Sequence, residues 1–268
     1  MKRILLLAAL LCSLSWTAGA QDFKKGVEAY KRGDYATALR EWHPLAERGD
    51  VEAQFNIGLM YDKGKGVPQN LVEAAKWYRK AAERGFAKAQ FNLGFMYNNG
   101  QGIPQDYAEG AKWYRKAAER GDARAQTGLG VMYAKGQGIS QDHADAVKWY
   151  RKAAEQGHAA AQFNLGYMYD MGQGVPQDYA EAVKWYRKAA EQGYVYAQRN
   201  LGIMYNKGHG APQDHAEAYI WYSLAATGGD KDASRSRVKM AAKLTPTQLR
   251  AAQREAGKRW EQIQARKK

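Results

Sequence analysis

The chain has a single cysteine, Cys12, and only one long run of uninterrupted apolar residues, Ile4 to Cys12, among its 268 positions. Each scarcity narrows the possibilities. The apolar run is too short to cross a bilayer as a helix, and no later segment is long enough. It follows Lys2 and Arg3 and leads to Ala18-Gly19-Ala20, which is the layout of a cleaved export signal. Cys12 follows Leu10 and Leu11, so the small residue that lipid attachment requires is missing. Cleavage after Ala20 would leave 248 residues and no cysteine. Such an exported chain, periplasmic or secreted, cannot be held by disulfides and must be stabilised by packing.

The chemistry of an active site is also sparse. The histidines (His43, His143, His158, His209, His215) form no HExxH and no i, i+4 pair, so no metal site is expected. No serine or cysteine sits in a nucleophile motif. The Gly64-x-Gly66 and Gly100-x-Gly102 segments lack the Lys-Ser or Lys-Thr ending of a phosphate loop and recur as connectors. No cofactor is expected, and no enzyme activity.

What is abundant is repetition. Lys148-Trp149-Tyr150-Arg151-Lys152-Ala153-Ala154-Glu155 recurs at 76–83, 112–119 and 184–191, with a worn copy at 220–227. The tryptophans Trp77, Trp113, Trp149, Trp185 and Trp221 are 36 residues apart, and a fixed period of this size signals a repeat array. Within one unit, Ile57, Gly58, Met60 and Tyr61 share one side of a first helix. Glycine inside a helix costs about 1 kcal/mol relative to alanine. Its recurrence at 58, 94, 130, 166 and 202 therefore implies that a neighbour comes too close for a side chain.

Gly64 to Pro68 ends that helix and Asn70 starts the next. Asn70 with Glu73, repeated through Asp214 with Glu217, has capping-box spacing. The second helix carries Ala74, Trp77, Tyr78 and Ala81 at helical period, which marks these aromatics as core and not as nucleic-acid stacking platforms. Arg79 and Glu83 are spaced as an i, i+4 ion pair. The lysines and arginines of these helices are offset by acids and read as a solvated face.

The pattern Ala-Gln-x-x-Leu-Gly-x-Met-Tyr, Gly-x-Gly-Val/Ile-Pro-Gln-Asp, Ala-x-Lys-Trp-Tyr-Arg-Lys-Ala-Ala-Glu resembles the Sel-1-like repeat family, a branch of the tetratricopeptide class. The resemblance divides the chain into a signal (1–20), an atypical first repeat (21–49), five repeats (50–85, 86–121, 122–157, 158–193, 194–229) and a C-terminal segment (230–268). In 21–49, Ala38, Trp42 and Ala46 share a helix face. The implied fold is an all-α, right-handed solenoid of antiparallel helix hairpins whose first helices line a concave surface. The implied activity is binding or scaffolding of a protein or peptide by a monomer. The family's partner-contacting positions fall here on Phe55 and Leu59, Phe91 and Phe95, Thr127 and Val131, Phe163 and Tyr167, Arg199 and Ile203. A peptidoglycan-directed enzyme or inhibitor is the alternative from another class.

The last repeat departs from the others. Ile220 and Leu224 replace lysines, and the apolar pair calls for a cover. Asp232 to Leu244 reads as one helix, and Thr245-Pro246-Thr247-Gln248 starts another whose stripe is Leu249, Ala252, Ala256, Trp260 and Ile263. This pair is expected to fold back as a cap. Residues 230–268 hold 12 basic and 4 acidic residues, much of the net charge of +14. Arg250, Arg254, Lys258, Arg259, Arg266, Lys267 and Lys268 give the tail either a solvated face or a weak contact with an anionic envelope surface.

Overall fold

A computed structural model describes residues 22–266, which form fourteen helices and no strand. The proposed signal and Lys267 and Lys268 lie outside the described residues. Among these, no helix is long and apolar enough to cross a membrane. The residues ahead of the five repeats supply α1 (22–31) and α2 (Tyr35–Glu47). First helices are then α3 (Val51–Lys63), α5 (Ala87–Asn99), α7 (Ala123–Lys135), α9 (Ala159–Met171) and α11 (Val195–Lys207). Second helices are α4 (Leu71–Glu83), α6 (Tyr107–Glu119), α8 (His143–Glu155), α10 (Tyr179–Ala190) and α12 (His215–Thr227). The chain closes with α13 (Lys231–Ala241) and α14 (Pro246–Ala265).

The helices pack as successive hairpins, with α3 on α4, α5 on α6, α9 on α10 and α11 on α12. The chain divides into two compact units, residues up to Ala125 and residues from Gln126 onward, described separately below.

Hairpin geometry follows from the repeated glycine. A Cβ on Gly58 would lie 2.7 Å from Cδ1 of Tyr78, and one on Gly166 would lie 2.8 Å from Cδ1 of Tyr186. The tyrosine ring of each second helix therefore occupies the space a side chain would take. These rings are core: Tyr78, Tyr114, Tyr150, Tyr186 and Tyr222 are all buried. Their tryptophan neighbours are buried at 77, 185 and 221 and half-buried at 113 and 149. Lys80, Lys116, Lys152 and Lys188 each place their ammonium 4.0–4.4 Å above the tryptophan one turn earlier.

The buried glutamine after each alanine links one repeat to the one before. Gln54 Nε2 donates to the Ala46 carbonyl at 2.9 Å, Gln90 to Ala82 at 3.0 Å, Gln162 to Ala154 and Gln198 to Ala190 at 3.1 Å. Each gives a second donor to a carbonyl in the last turn of the preceding helix, which already accepts from the backbone N–H of Gly49, Gly85, Gly157 or Gly193.

Three local expectations are revised. Asn70 and Asp106 do cap α4 and α6, but the acid three residues on turns outward. Glu73 pairs with Lys76 at 2.6 Å and Glu109 with Lys112 at 2.5 Å. Arg79 donates to the Tyr97 hydroxyl of the next repeat at 2.7 Å, and Arg151 reaches Tyr169 in the same way at 2.6 Å. The spacing to Glu83 was therefore a weak guide, because a ring hydroxyl on the adjacent hairpin lies within reach. The penultimate helix ends at Ala241, short of Leu244.

The cap forms as the sequence implies. Ile220 and Leu224 are 4% and 1% exposed, in one cluster with Ala252, Ala256 and Ile263, against which Leu249 and Trp260 pack. Thr245 and Gln248 form a reciprocal capping box. Arg259 is a structural clamp and not part of a free basic face. Its guanidinium donates to both carboxylate oxygens of Glu217, at 2.7 and 2.9 Å, and its Nε to Glu255 at 2.9 Å.

Candidate partner-binding face

The residues assigned to partner contact all lie on first helices, where a spacing of four puts both members of a pair on one side. In the first unit, Phe55 is half-buried, its ring 5.7 Å from Tyr78 and 5.3 Å from Phe86. Phe91 stacks on Tyr114 at 5.7 Å and has the Arg124 guanidinium 4.2 Å above its ring. Phe95, 6.4 Å from Phe91, is 43% exposed and continues the aromatic surface to solvent. Leu59 lines a hollow of about 290 Å³ with Val27, Tyr30, Lys31, Trp42 and Asn56.

The second unit treats its positions differently. Thr127 is 8% exposed, and its hydroxyl is 2.9 Å from Nδ1 of His158, so it faces the interior. Val131 and Ile203 are half-buried. Arg199 lies 3.3 Å from Asp230 and 3.5 Å from Asp232, which satisfies its charge locally. Phe163 sits among Tyr186, Tyr194 and Tyr196, at centroid distances of 5.7, 5.2 and 6.2 Å. Tyr167, one turn on, is 40% exposed. It borders a groove of about 470 Å³ with Met171, Tyr179, Ile203 and Lys207.

The structure thus makes Phe55, Phe91 and Phe163 both core and surface. One side of each ring packs on its neighbours while part stays accessible. Two exposed apolar residues beside them were not singled out from the sequence: Met171 and Tyr196, at 48% and 54%. Comparing each with its counterparts 36 residues away would have found them.

Burial shifts two titratable groups around these rings. Burial pushes the Asp170 carboxyl above its ordinary pKa, while the Tyr186 hydroxyl donates to it at 3.1 Å. Burial likewise raises the Tyr194 hydroxyl. Among the described residues, no three His, Cys, Asp or Glu side chains converge as a metal cage would require. Aromatic and aliphatic surface backed by a rigid hairpin is suited to recognition by contact.

The Sel1 repeat profile matches five consecutive segments, 51–86, 87–122, 123–158, 159–194 and 195–230. The chain belongs to the Sel1 repeat family. Sel1 repeats are protein–protein interaction scaffolds, and the helix hairpins described above are theirs. A Sel1 repeat protein from Oxalobacter formigenes is 38% identical, with a TM-score of 0.77, over 88% of this chain and 96% of that one. The protective antigen c5321 of uropathogenic Escherichia coli is 40% identical, with a TM-score of 0.74, over 82% of this chain. The chain spans about half, 48%, of c5321. It spans only 10% of the rat DAP3-binding cell death enhancer 1, to which it is 41% identical over 49 residues.

Proposed function

We propose that this Sel1 repeat protein is an exported scaffold that binds a protein or peptide through the exposed face of its first helices, by surface complementarity and without chemistry of its own. The observation that carries this reading is the run from Phe91 to Phe95. A stacked ring leads to one that is 43% exposed on a rigid helix. Large aromatic side chains held by packing lose little conformational freedom on binding and dominate interface energetics.

Phe91→Ala with Phe95→Ala is expected to weaken partner capture by about 2–4 kcal/mol with the far-ultraviolet helical signal retained. A crosslinking pull-down from the envelope fraction, with wild type and double variant side by side, measures it. Equal capture by the two proteins would overturn the assignment. Export is supported by Lys2, Arg3, the Ile4 to Cys12 run and Ala18-Gly19-Ala20. It is consistent with c5321 being a protective antigen. Intact mass and N-terminal sequencing should find a 248-residue chain beginning at Gln21. A full-length cytoplasmic product would remove the localisation.

A further inference from the structure

The repeats serve as controls for the hairpin ahead of them. In α4 and α10 the tyrosine seated on the helix glycine has a fully engaged hydroxyl. Tyr78 donates to Asp62 at 3.4 Å and Tyr186 to Asp170 at 3.1 Å. Asn92 and Asn200, on the first helix that follows, each supply a further hydrogen bond to that hydroxyl. The first hairpin replaces two of these three partners. Trp42 takes the place of the tyrosine, since a Cβ on Gly26 would lie 2.3 Å from its Nε1. That Nε1 donates to the Phe23 carbonyl at 3.3 Å. Tyr30 stands four residues after Gly26, as Asp62 and Asp170 stand four after Gly58 and Gly166. Asn56, the counterpart of Asn92 and Asn200, is left with no hydrogen bond to another described residue.

The change opens the hollow of about 290 Å³ between α1 and α3. Val27, Tyr30, Trp42 and Leu59 wall it, and Lys31 and Asn56 complete the lining. That volume is at the lower end of the roughly 300–1,000 Å³ of small-molecule sites. No carboxylate lines the hollow, whereas Asp170 and Lys207 share the α9–α11 groove. Nearby charges are engaged elsewhere. Asp62 accepts from Tyr78 and pairs with Lys63 at 3.2 Å, and Lys65 donates to the Tyr35 hydroxyl at 2.8 Å. Glu28, one turn before Lys31, lies outside the lining and forms no ion pair with it. The hollow therefore combines apolar walls with an ammonium and a free amide, and carries no anion of its own.

We infer that the α1–α3 hollow binds an apolar monocarboxylate, its apolar group against Val27, Trp42 and Leu59 and its carboxylate held by the Asn56 amide and the Lys31 ammonium. A carboxylate only accepts hydrogen bonds, and these two groups are the donors that the rest of the fold leaves unused. The same chemistry is present in a free organic acid and at the end of a peptide that closes on an apolar residue. The site goes beyond the proposed partner face and shares only Leu59 with it, so it can fail while capture through Phe91 and Phe95 holds.

The test uses the full mature chain and ligand-detected nuclear magnetic resonance titrations. The probes are 3-phenylpropionate, 3-phenylpropionamide, and one short peptide ending in phenylalanine, made with a free and with an amidated end. The carboxylates should bind about tenfold or more tighter than the matching amides, because the ammonium contributes only to a charged acceptor. Lys31→Glu, at an exposed position, and the isosteric Asn56→Asp should each abolish that preference with the helical signal retained. Lys258→Ala, which removes an exposed charge from α14, should leave it unchanged.

Binding of 3-phenylpropionate without the peptide supports a free acid as the occupant, and binding of the free-ended peptide alone supports a chain end. Either outcome upholds the carboxylate site. Binding of neither carboxylate, equal binding of acid and amide, or an undiminished preference in both Lys31→Glu and Asn56→Asp would overturn it. So would an equal loss in Lys258→Ala, because the effect would then come from net charge and not from the hollow.

Discussion

At the scale of single residues, the chain separates glycines that are needed from one that is not. Gly166 lies in α9 where a Cβ would come 2.8 Å from the Tyr186 ring and 3.2 Å from the Ala182 carbonyl oxygen. Tyr186 is 0% exposed and cannot move aside without disturbing the hairpin. Gly257 lies in α14 with nothing within 4 Å of its would-be Cβ. Both are helical, so the intrinsic gain from alanine is the same, about 0.5–1 kcal/mol, and only the surroundings differ. Gly257→Ala is expected to stabilise by that amount. Gly166→Ala is expected to destabilise by about 1–3 kcal/mol through overpacking. Urea midpoints of the two variants, measured together, decide it. A stabilising Gly166→Ala would mean that the ring is not fixed against the glycine.

At the scale of elements, the C-terminal helices solve the problem that any array has at its end. The last second helix, α12, carries Ile220 and Leu224 where earlier copies carry lysine, and α14 covers both. α13 shows why α14 is free to do this. Val238 occupies the place of Gly202 one repeat earlier and is 64% exposed, so no tyrosine ring seats on it as Tyr222 does on Gly202. The helix that follows packs across α12. Ending the chain after Leu244 should therefore lower the melting temperature and produce self-association in light scattering, as the apolar pair becomes exposed. Arg259→Ala should act in the same direction more mildly, by roughly 1–3 kcal/mol, since Glu217 then loses its two-pronged partner. A monomeric truncation with unchanged melting would show that α14 is not a cap. Much of this was legible in sequence, because the Ile220/Leu224 departure and the α14 stripe are each local patterns. The residues that were misjudged depend on distant partners. Thr127 turns inward because His158, 31 residues away, accepts or donates at its hydroxyl. Arg79 leaves Glu83 for a hydroxyl 18 residues on, and Arg259 leaves the solvated face for a carboxylate 42 residues back. Met171 and Tyr196 were missed because their exposure is set by what the next hairpin leaves uncovered.

At the scale of the whole molecule, the repeated tyrosine makes alkaline pH the condition under which the fold is most exposed to a common failure. Tyr78, Tyr114, Tyr150 and Tyr186 all have hydroxyls whose pKa burial raises. Tyr186 is held further up by the negative charge of Asp170, and Tyr78 by that of Asp62. A tyrosine whose pKa is higher in the folded chain than in the unfolded one stabilises the fold as long as both are neutral. That contribution is fully present below the ordinary tyrosine value near 10. Above it the unfolded chain gives up the proton and the folded chain does not, so stability falls as pH rises. Each such group removes about 1.4 kcal/mol per pH unit until the folded value is reached, and four acting together make the slope several times steeper. The hydroxyls of Tyr78, Tyr114, Tyr150 and Tyr186 should ionise in a single step that coincides with loss of helical signal, followed by tyrosinate absorbance and circular dichroism on the same sample. Tyr150→Phe should move that step to higher pH by removing one of the four titrating groups, provided the ring alone fills its place against Gly130. Gradual ionisation of all tyrosines with the helical signal intact would show that water reaches these hydroxyls in the folded chain, and that the seam between paired helices is looser than the close approach at each glycine implies.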